Sequence, residues 1–289
     1  MTIKEARLKF IDELKKELDP GETKNIAELA LEKISGLSKT EQIKYKETLF
    51  NADQIDFLEK IISRLKQQEP IQYILGEAWF AGMKFKVNKS VLIPRPETEE
   101  LVEWIVHEAG GTKPEIRNIL EVGTGSGCIA IAIKKKLQPV SLSAIDVCSE
   151  AIFTATENAI ALETDIEFIL LDFLDEKNWN GLGKFDVIVS NPPYVRQNEK
   201  QTMHKRVVDF EPSLALFVPD NDALLFYKKL ADFAKMHLTE GGKLFVEINE
   251  TLGKEVSTLF QTKGFNSIEI RNDMQGKERM VKAVMINEL

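Results

Sequence analysis

Amphipathic segments occupy the first part of the chain. In the first of them, apolar residues recur at helical spacing at Leu8, Ile11, Leu14 and Leu18, and the sequence DPG at 19–21 ends the pattern. The same spacing predicts three further helices, over residues 26–34, 41–49 and 52–66. We therefore predict a small N-terminal helical bundle over residues 1–72. Because it contains no histidine, cysteine or polar cluster, we expect it to bind or position a partner rather than to catalyse a reaction.

The pattern changes after Pro70. Residues 73–96 mix aromatic residues, glycines and alternating polar and apolar positions, which is typical of a β-hairpin, and a hairpin connector is predicted there. Pro96 is suited to the first turn of a helix. The acidic residues that follow it are also favourable near the amino end of a helix. A helix over about 97–109 is therefore predicted.

Short apolar strands alternate with helical segments from residue 118 onward. This alternation is the pattern of βαβ units, in which helices cover both faces of a parallel sheet. The predicted strands are residues 118–122, 140–146, 166–171, 185–190, 243–248, 267–271 and 280–286. Seven strands fit one doubly wound, Rossmann-like α/β sheet, whose ligands bind at the carboxyl ends of the strands.

Composition and charge narrow the class of protein. The chain has 289 residues, of which 43% are hydrophobic and 29% charged, as expected for a soluble globular protein. Its 38 Lys and Arg residues against 46 Asp and Glu residues give a formal net charge of -8, so we expect no stable binding to nucleic acid. No apolar run approaches the ~20 residues of a membrane span, and no signal peptide is visible. A cytoplasmic location with no membrane partner is predicted.

Cysteines and histidines give no pattern for metal or nucleophilic chemistry. Cys128 and Cys148 lack the spacing of metal ligands or of a disulfide framework, which suits a reducing compartment. His107, His204 and His237 are scattered along the chain. We therefore predict no metal site and no disulfide.

A glycine-rich sequence, LEVGTGSGCIAIAI, ends the first predicted strand of the sheet. Glycines at such a turn allow positive φ and close approach of a ligand, and the following helix offers free amide groups, so a nucleotide-like ligand is expected. The dinucleotide fingerprint fails because Cys128 occupies its last position, and the spacing instead resembles motif I of class I methyltransferases, which use S-adenosylmethionine. A purely structural turn is the alternative interpretation. The candidate cofactor-binding residues are Gly123, Thr124, Gly125, Ser126 and Gly127.

Acidic residues end the next two predicted strands. Asp146 can accept hydrogen bonds from ribose hydroxyls, Asp172 can accept an adenine amino group, and Phe173 can lie against the adenine ring. Each residue also has a structural interpretation, as a helix cap or as a packed aromatic side chain. Together with the glycine-rich turn, the three residues place a complete nucleoside site at one edge of the sheet, so the joint interpretation is stronger than any of its parts.

The fourth predicted strand ends in the sequence SNPPY, which resembles motif IV of methyltransferases that act on a planar nitrogen. Such a nitrogen is a poor nucleophile because its lone pair is delocalised. The Asn191 side-chain oxygen and the Pro192 carbonyl can each accept a hydrogen bond from one of its N–H groups. Pro193 has no amide proton that could compete for these acceptors. Tyr194 can stack on a flat amide or base. These four residues are therefore predicted to bind the substrate and to catalyse methyl transfer mainly by positioning it. An ordinary proline turn is the alternative.

From about residue 70 onward, the chain resembles the release factor glutamine methyltransferase family. The sequences that carry the resemblance are IPRPETEELVE, LEVGTGSGCIAIAI, VSNPPYV, FEPSLAL and GKERMV. The resemblance implies a class I methyltransferase domain over residues 97–289, with S-adenosylmethionine as cofactor and S-adenosylhomocysteine as product. It also implies that the substrate is the glutamine of the Gly-Gly-Gln tripeptide in peptide chain release factors, methylated at its N5 nitrogen.

The same resemblance implies roles for individual residues. The glycine-rich turn, Asp146, Phe173 and Asn191 are expected to contact the cofactor, while the sequence NPPY receives the glutamine. Arg95 and Thr98 fall in the stretch that resembles the family's connector and are candidates to line the cofactor site. Glu121 stands where Asp is common in the family, and either carboxylate can reach the amino group of the cofactor.

Two other functions remain open from the residues alone. An adenine-N6 methyltransferase acting on DNA or RNA would share NPPY but bind nucleic acid with steep salt dependence, and a non-catalytic cofactor-binding scaffold would keep only the glycine-rich turn. The net charge and the lack of a separate target-recognition region favour a protein substrate. Residues 195–220 form a long connection, and we expect its sequence FEPSLALF to fold over the inserted glutamine. The bundle is expected to bind another part of the release factor, and the enzyme to be a monomer.

Overall fold

The structure, a computed structural model, describes residues 1–110 and 116–285. Its helices are α1 (Ile3–Leu14), α2 (Pro20–Ser35), α3 (Lys39–Lys44), α4 (Ala52–Lys66), α5 (Ile71–Leu75), α6 (Pro96–Gly110), α7 (Cys128–Lys136), α8 (Ser149–Ala161), α9 (Lys205–Val208), α10 (Ser213–Leu216), α11 (Leu225–His237) and α12 (Gly253–Thr262). Its strands are β1 (Glu77–Phe80), β2 (Met83–Lys86), β3 (Asn118–Val122), β4 (Ser141–Asp146), β5 (Glu167–Leu170), β6 (Phe185–Ser190), β7 (Val195–Arg196), β8 (Phe217–Val218), β9 (Leu238–Glu247), β10 (Phe265–Asn272) and β11 (Glu278–Met285). None of the described helices is both long enough and apolar enough to cross a bilayer.

The first of two compact units comprises residues 1–77 together with 204–210. Apolar faces of α1, α2, α4 and α5 form its core, which explains why the unit extends beyond the predicted boundary at residue 72: Ile74 and Leu75 are buried in that core. The segment 204–210 contains α9, and Arg206 on this helix forms an ion pair with Glu22 of α2. No local sequence pattern indicates that residues so distant in the chain belong to this unit.

The helices of the first unit begin where side chains satisfy their free amides. Capping boxes start α1, α3 and α4, with Thr2, Ser38 and Asn51 as the capping residues. The third helix is shorter than the predicted segment 41–49. Residues 45–50 leave the helix because the carbonyl groups of Lys46 and Thr48 accept hydrogen bonds from the first amides of α1.

The second unit comprises residues 78–203 and 211–289, and its described part contains a seven-stranded sheet. The strand order is β10-β11-β9-β6-β3-β4-β5, with β11 antiparallel to both of its neighbours and the other pairs parallel. All seven predicted strands are confirmed, and the last residue predicted for the seventh, Ile286, lies outside the described residues. Because β4 and β6 flank β3 on opposite sides, the carboxyl ends of β3 and β6 form the switch point at which such sheets bind ligands.

The central strands are buried on both faces. Val187 and Val189 of β6 pack in the cluster that contains α6 and α7, whereas Ile188 between them packs in the cluster that contains α11 and α12. All three side chains are fully buried. This two-sided burial explains the continuous apolar runs that identified the strands in the sequence.

Candidate active site

A cavity of about 410 Å³ lies at the carboxyl ends of β3, β4 and β6. Its volume falls within the ~300–1,000 Å³ of most small-molecule sites. A more open concavity of about 710 Å³ lies at the amino ends of β3 and β4, where this type of sheet does not bind ligands. Among the residues singled out from the sequence, those that line the cavity are Arg95, Thr98, Glu121, Gly123, Thr124, Gly125, Ser126, Asp146, Asp172, Phe173, Asn191 and Pro193.

The three glycines of the turn divide into two groups. Gly123, Gly125 and Gly127 all have positive φ, at 78°, 54° and 79°. A Cβ added to Gly123 or Gly125 would meet no atom within 4 Å, so both face open space in which a ligand can approach the backbone. A Cβ on Gly127 would instead lie 3.1 Å from the Cβ of Ala155 in α8. Gly127 does not line the cavity, and its place in the structure supports close packing of the turn on α8 rather than ligand contact.

Asp146 stands at the end of β4 and shapes the turn. Its Oδ2 accepts a hydrogen bond from the amide of Gly125 at 2.9 Å, and its Oδ1 accepts one from the amide of Cys148 at 2.9 Å. Burial raises the pKa of Asp146, and these amide bonds oppose the increase. Each carboxylate oxygen has a second acceptor site, so Asp146 can hold the turn and still accept a ligand hydroxyl.

Glu121 is a buried residue that lines the same cavity. Its Oε2 accepts hydrogen bonds from the hydroxyl of Thr124 at 2.7 Å and from the amide of Ala130 at 3.1 Å. Its Oε1 is buried and has no hydrogen-bond partner within the described part of the chain. Burial, with repulsion from Asp146, raises the pKa of Glu121 to about 8. A buried acceptor without a partner is the kind of atom that a ligand donor completes.

Asp172 and Phe173 form the far side of the cavity. The Oδ1 of Asp172 accepts a hydrogen bond from the amide of Leu174 at 2.9 Å, so this residue also caps the local turn. The ring of Phe173 is largely buried against Trp179 and Phe233, each with its ring centroid 5.4 Å away. Both residues therefore have the structural role considered as an alternative, and both also line the cavity.

Asn191 follows β6 and faces the cavity beside Thr98. The side-chain Nδ2 of Asn191 donates to the hydroxyl of Thr98 at 3.1 Å, and that hydroxyl donates to Oε2 of Glu247 at 2.6 Å. The residue before it, Ser190, donates to the carbonyl of Val122 at 2.7 Å and so ties the ends of β6 and β3 together. Sequence reasoning missed Glu247, whose one signal was a carboxylate at the end of an apolar strand.

The rest of the NPPY sequence is divided between the cavity and the protein interior. Pro193 lines the cavity, whereas Pro192 is buried behind it and Tyr194 does not line it. The hydroxyl of Tyr194 donates to Oε1 of Glu247 at 3.2 Å. Burial and the neighbouring carboxylate of Glu247 raise the pKa of Tyr194 above its usual range. In this structure Tyr194 forms a hydrogen bond with Glu247. Stacking of Tyr194 on a substrate remains a prediction.

The sequence FEPSLAL contributes a wall that sequence reasoning left without residue roles. Pro212, Leu214 and Ala215 line the cavity, and Leu214 keeps 63% of its surface exposed. Glu211 is buried and forms an ion pair with Arg95, which itself lines the cavity. The second oxygen of Glu211 accepts a hydrogen bond from the amide of Ile93 at 3.3 Å. The wall is thus fixed to the connector that precedes α6.

Metal chemistry has no donor set here: among residues 1–110 and 116–285, no group of three or more His, Cys, Asp or Glu side chains could hold a metal ion. Cys128 and Cys148 line the cavity as free thiols. Burial raises the pKa of Cys128 to about 12 and also raises the pKa of Cys148, which disfavours their reactive thiolate forms.

Comparisons with known proteins find similar sequences over most of the chain. Residues 100–210 match the family model described as Methyltransferase small domain, and residues 5–76 match the one described as PrmC N-terminal domain. A release factor glutamine methyltransferase from Flavobacterium psychrophilum is 44% identical over 284 residues, covering 98% of this chain and 99% of that protein. One from Bacteroides thetaiotaomicron is 40% identical and covers 91% and 93%.

Solved structures support the fold. A methyltransferase from Pyrococcus furiosus aligns with a TM-score of 0.50 and 16% identity, covering 82% of this chain and 100% of that one. At this identity the similarity supports the fold alone, and that fold agrees with the sheet described above.

Proposed function

The chain belongs to the release factor glutamine methyltransferase family, and from that membership we propose that it methylates the N5 nitrogen of the glutamine in the Gly-Gly-Gln tripeptide of peptide chain release factors. The observation that carries the proposal is the position of Asn191, which lies at the wall of a cavity bounded by the glycine-rich turn. A methyl donor held at the turn and a planar nitrogen held by Asn191 would meet there.

The residues of the cavity fit S-adenosylmethionine. Gly123 and Gly125 leave open space beside the backbone, and Asp146 has spare acceptor capacity for ribose hydroxyls. The unpartnered Oε1 of Glu121 suits the ammonium group of the cofactor's methionine part. When bound, the cofactor supplies an electrophilic methyl group on a positively charged sulfur.

The protein's own residues orient the nitrogen. The Oδ1 of Asn191 and the carbonyl of Pro192 each accept a hydrogen bond from one N–H group of the glutamine amide. These two bonds turn the amide nitrogen toward the methyl group. The same acceptors stabilise the positive charge that develops as the N–C bond forms and the S–C bond breaks. One proton then leaves the nitrogen to water. Positioning and charge stabilisation carry the reaction, so no strong general base is required.

Two parts of the chain are proposed to hold the release factor itself. The wall formed by Pro212, Leu214 and Ala215 covers the inserted glutamine, and the exposed side chain of Leu214 is available to contact it. The first unit, which contains residues 1–77, binds another surface of the release factor. Hydrogen exchange on adding an unmodified release factor tests both ideas: slowed exchange is expected in residues 211–217 and in the first unit, and unchanged exchange in either region contradicts its role.

The experiment that tests the function is direct. The purified protein is incubated with S-adenosylmethionine and an unmodified release factor, and added methyl groups are mapped by peptide mass spectrometry. A methyl group on the Gly-Gly-Gln glutamine is expected, and a release factor without that glutamine should remain unmodified. Methylation of naked DNA or RNA in a parallel reaction, with the release factor left bare, would instead support the adenine-N6 alternative.

A further inference from the structure

Three hydrogen-bonding side chains form a series that leads inward from the candidate reaction centre. Asn191 donates from Nδ2 to the hydroxyl of Thr98 at 3.1 Å, and the hydroxyl of Thr98 donates to Oε2 of Glu247 at 2.6 Å. Thr98 and Glu247 are each 2% exposed, so water does not compete for the bond between them. Thr98 and Asn191 line the cavity, whereas Glu247 stands behind them.

The series has a fixed direction because each group has a limited supply of donors. The hydroxyl of Thr98 has a single proton and directs it to Glu247, so toward Asn191 it offers lone pairs alone. The other oxygen of Glu247 accepts from the hydroxyl of Tyr194 at 3.2 Å. A reversed Asn191 amide would place its oxygen against the buried oxygen of Thr98, leaving two acceptors facing each other without a proton.

The hydrogen bonds at Glu247 favour the same direction, since each of its oxygens accepts one hydroxyl. Burial and repulsion from Glu97 raise the pKa of Glu247, and the bonds from Thr98 and Tyr194 and the positive charge of Arg279 limit that increase. Arg279 is itself held in place by Asp273, whose carboxylate lies 3.2 Å from its Nε. An ionised Glu247 accepts at both oxygens and has no proton to give to Thr98.

We propose that Thr98 and Glu247 are positioning residues that lock the Asn191 amide with Nδ2 inward and Oδ1 toward the cavity. The inference rests on the proposed function, in which Oδ1 accepts an N–H of the substrate amide. A reversed Asn191 would present an NH₂ group to the NH₂ group of the glutamine, donor against donor. The orientation of this one side chain therefore decides whether the site accepts a primary amide.

The first test compares Thr98→Val, which keeps the shape but removes the hydroxyl, with Thr98→Ser, which keeps the hydroxyl. We expect Thr98→Val to lower kcat on an unmodified release factor about tenfold, while Thr98→Ser stays within about threefold of the wild type. Binding of S-adenosylhomocysteine, measured by calorimetry, should change less than about twofold in both. Equal activity of the two variants, or a loss of cofactor affinity as large as the loss of kcat, would overturn the proposal.

The second test changes Glu247 without altering its size. The amide of Glu247→Gln can donate to Thr98, which frees the hydroxyl of Thr98 to donate toward Asn191 and favours the reversed amide. We expect a fall in kcat of about tenfold with cofactor binding preserved. Wild-type turnover in this variant would contradict the proposed direction of the series. If Thr98→Val fails to fold, Glu247→Gln alone tests the proposal.

A double-mutant cycle separates positioning from general damage. In Asn191→Asp the side chain is symmetric, so its orientation has no consequence, and adding Thr98→Val should change the residual kcat less than about twofold. A further tenfold loss in that background would show that Thr98 acts by another route.

A readout independent of turnover keeps the proposed function and the inference apart. The side-chain amide signals of Asn191, assigned in a ¹⁵N-labelled sample by their loss in Asn191→Asp, should shift in Thr98→Val and in Glu247→Gln and stay near the wild type in Thr98→Ser. These shifts are expected whether or not the release factor is the substrate. Unmethylated release factor with the shifts present would count against the proposed function alone, whereas signals unaffected by all three variants would overturn the inference.

Discussion

Gly123→Ala and Gly127→Ala form a matched pair that tests how the turn is built. The two glycines have nearly the same φ, 78° and 79°, so an alanine at either position pays the same backbone strain of ~1–2 kcal/mol. Their surroundings differ. An alanine Cβ at position 123 meets no atom within 4 Å, whereas one at position 127 lies 3.1 Å from the Cβ and 3.3 Å from the Cα of Ala155.

The difference in surroundings gives a difference in stability. Overpacking of this kind adds ~1–3 kcal/mol, so the expected loss in the free energy of unfolding is ~1–2 kcal/mol for Gly123→Ala and ~2–5 kcal/mol for Gly127→Ala. Urea denaturation followed by tryptophan fluorescence reports on the correct unit, because Trp79, Trp104 and Trp179 all lie within the second.

Cofactor affinity should show the opposite order. The new Cβ of Gly123→Ala stands in the open space of the cavity, and we expect the Kd for S-adenosylhomocysteine to rise at least about tenfold, equivalent to ~1.4 kcal/mol. Folded Gly127→Ala should bind within about threefold of the wild type, since Gly127 does not line the cavity. Equal losses of stability in the two variants would refute the packing argument. Unchanged affinity in Gly123→Ala would show that the cofactor does not approach the backbone at Gly123.

Three further predictions concern individual side chains. Asn191→Ala should lower kcat ~10²–10³-fold while changing the cofactor Kd less than about threefold, and equal losses in both constants would contradict its positioning role. Because the pKa of Glu121 is raised to about 8, its carboxyl group is neutral at lower pH and must lose a proton to pair with an ammonium group. Cofactor affinity measured by calorimetry should therefore rise between pH 6 and pH 8, with proton release on binding. Glu121→Gln should remove this pH dependence. A flat pH profile for the wild type would contradict the pairing of Glu121 with the ammonium group. Glu211→Gln breaks a largely buried ion pair with Arg95 and should lower the Tm and raise the KM for the release factor, whereas an unchanged KM would separate the wall from substrate binding.

The sheet and its ligand edge could be predicted because both leave local signals. Strands such as β6, buried on two faces, require unbroken apolar runs, and the turn after β3 requires glycine at positive φ. The candidate site residues predicted in this way, Gly125, Asp146 and Asn191 among them, all lie at or just after strand ends and line the cavity. Local sequence is enough to predict that they lie together, because the topology of the sheet brings those ends to one edge.

The parts that were missed depend on contacts between distant residues. Thr98 and Glu247 are 149 positions apart, and nothing near either residue indicates their hydrogen bond. Gly127 has the same sequence signature as its neighbours in the turn, and its packing on Ala155 of α8 becomes visible in three dimensions alone. The shortening of α3 has a similar origin, since the carbonyls that end it bond to the start of α1.

The discontinuous make-up of the first unit has a consequence for biosynthesis. Residues 204–210 belong to that unit although they follow most of the sheet in the chain. The ribosome makes the amino terminus first, so residues 1–77 emerge long before the segment that completes their unit. The nascent first unit therefore stays incomplete, with the surface that packs against α9 exposed, until translation has passed the sequence NPPY. Assembly of the two ends of this unit becomes a late step, one that a prematurely truncated chain cannot reach.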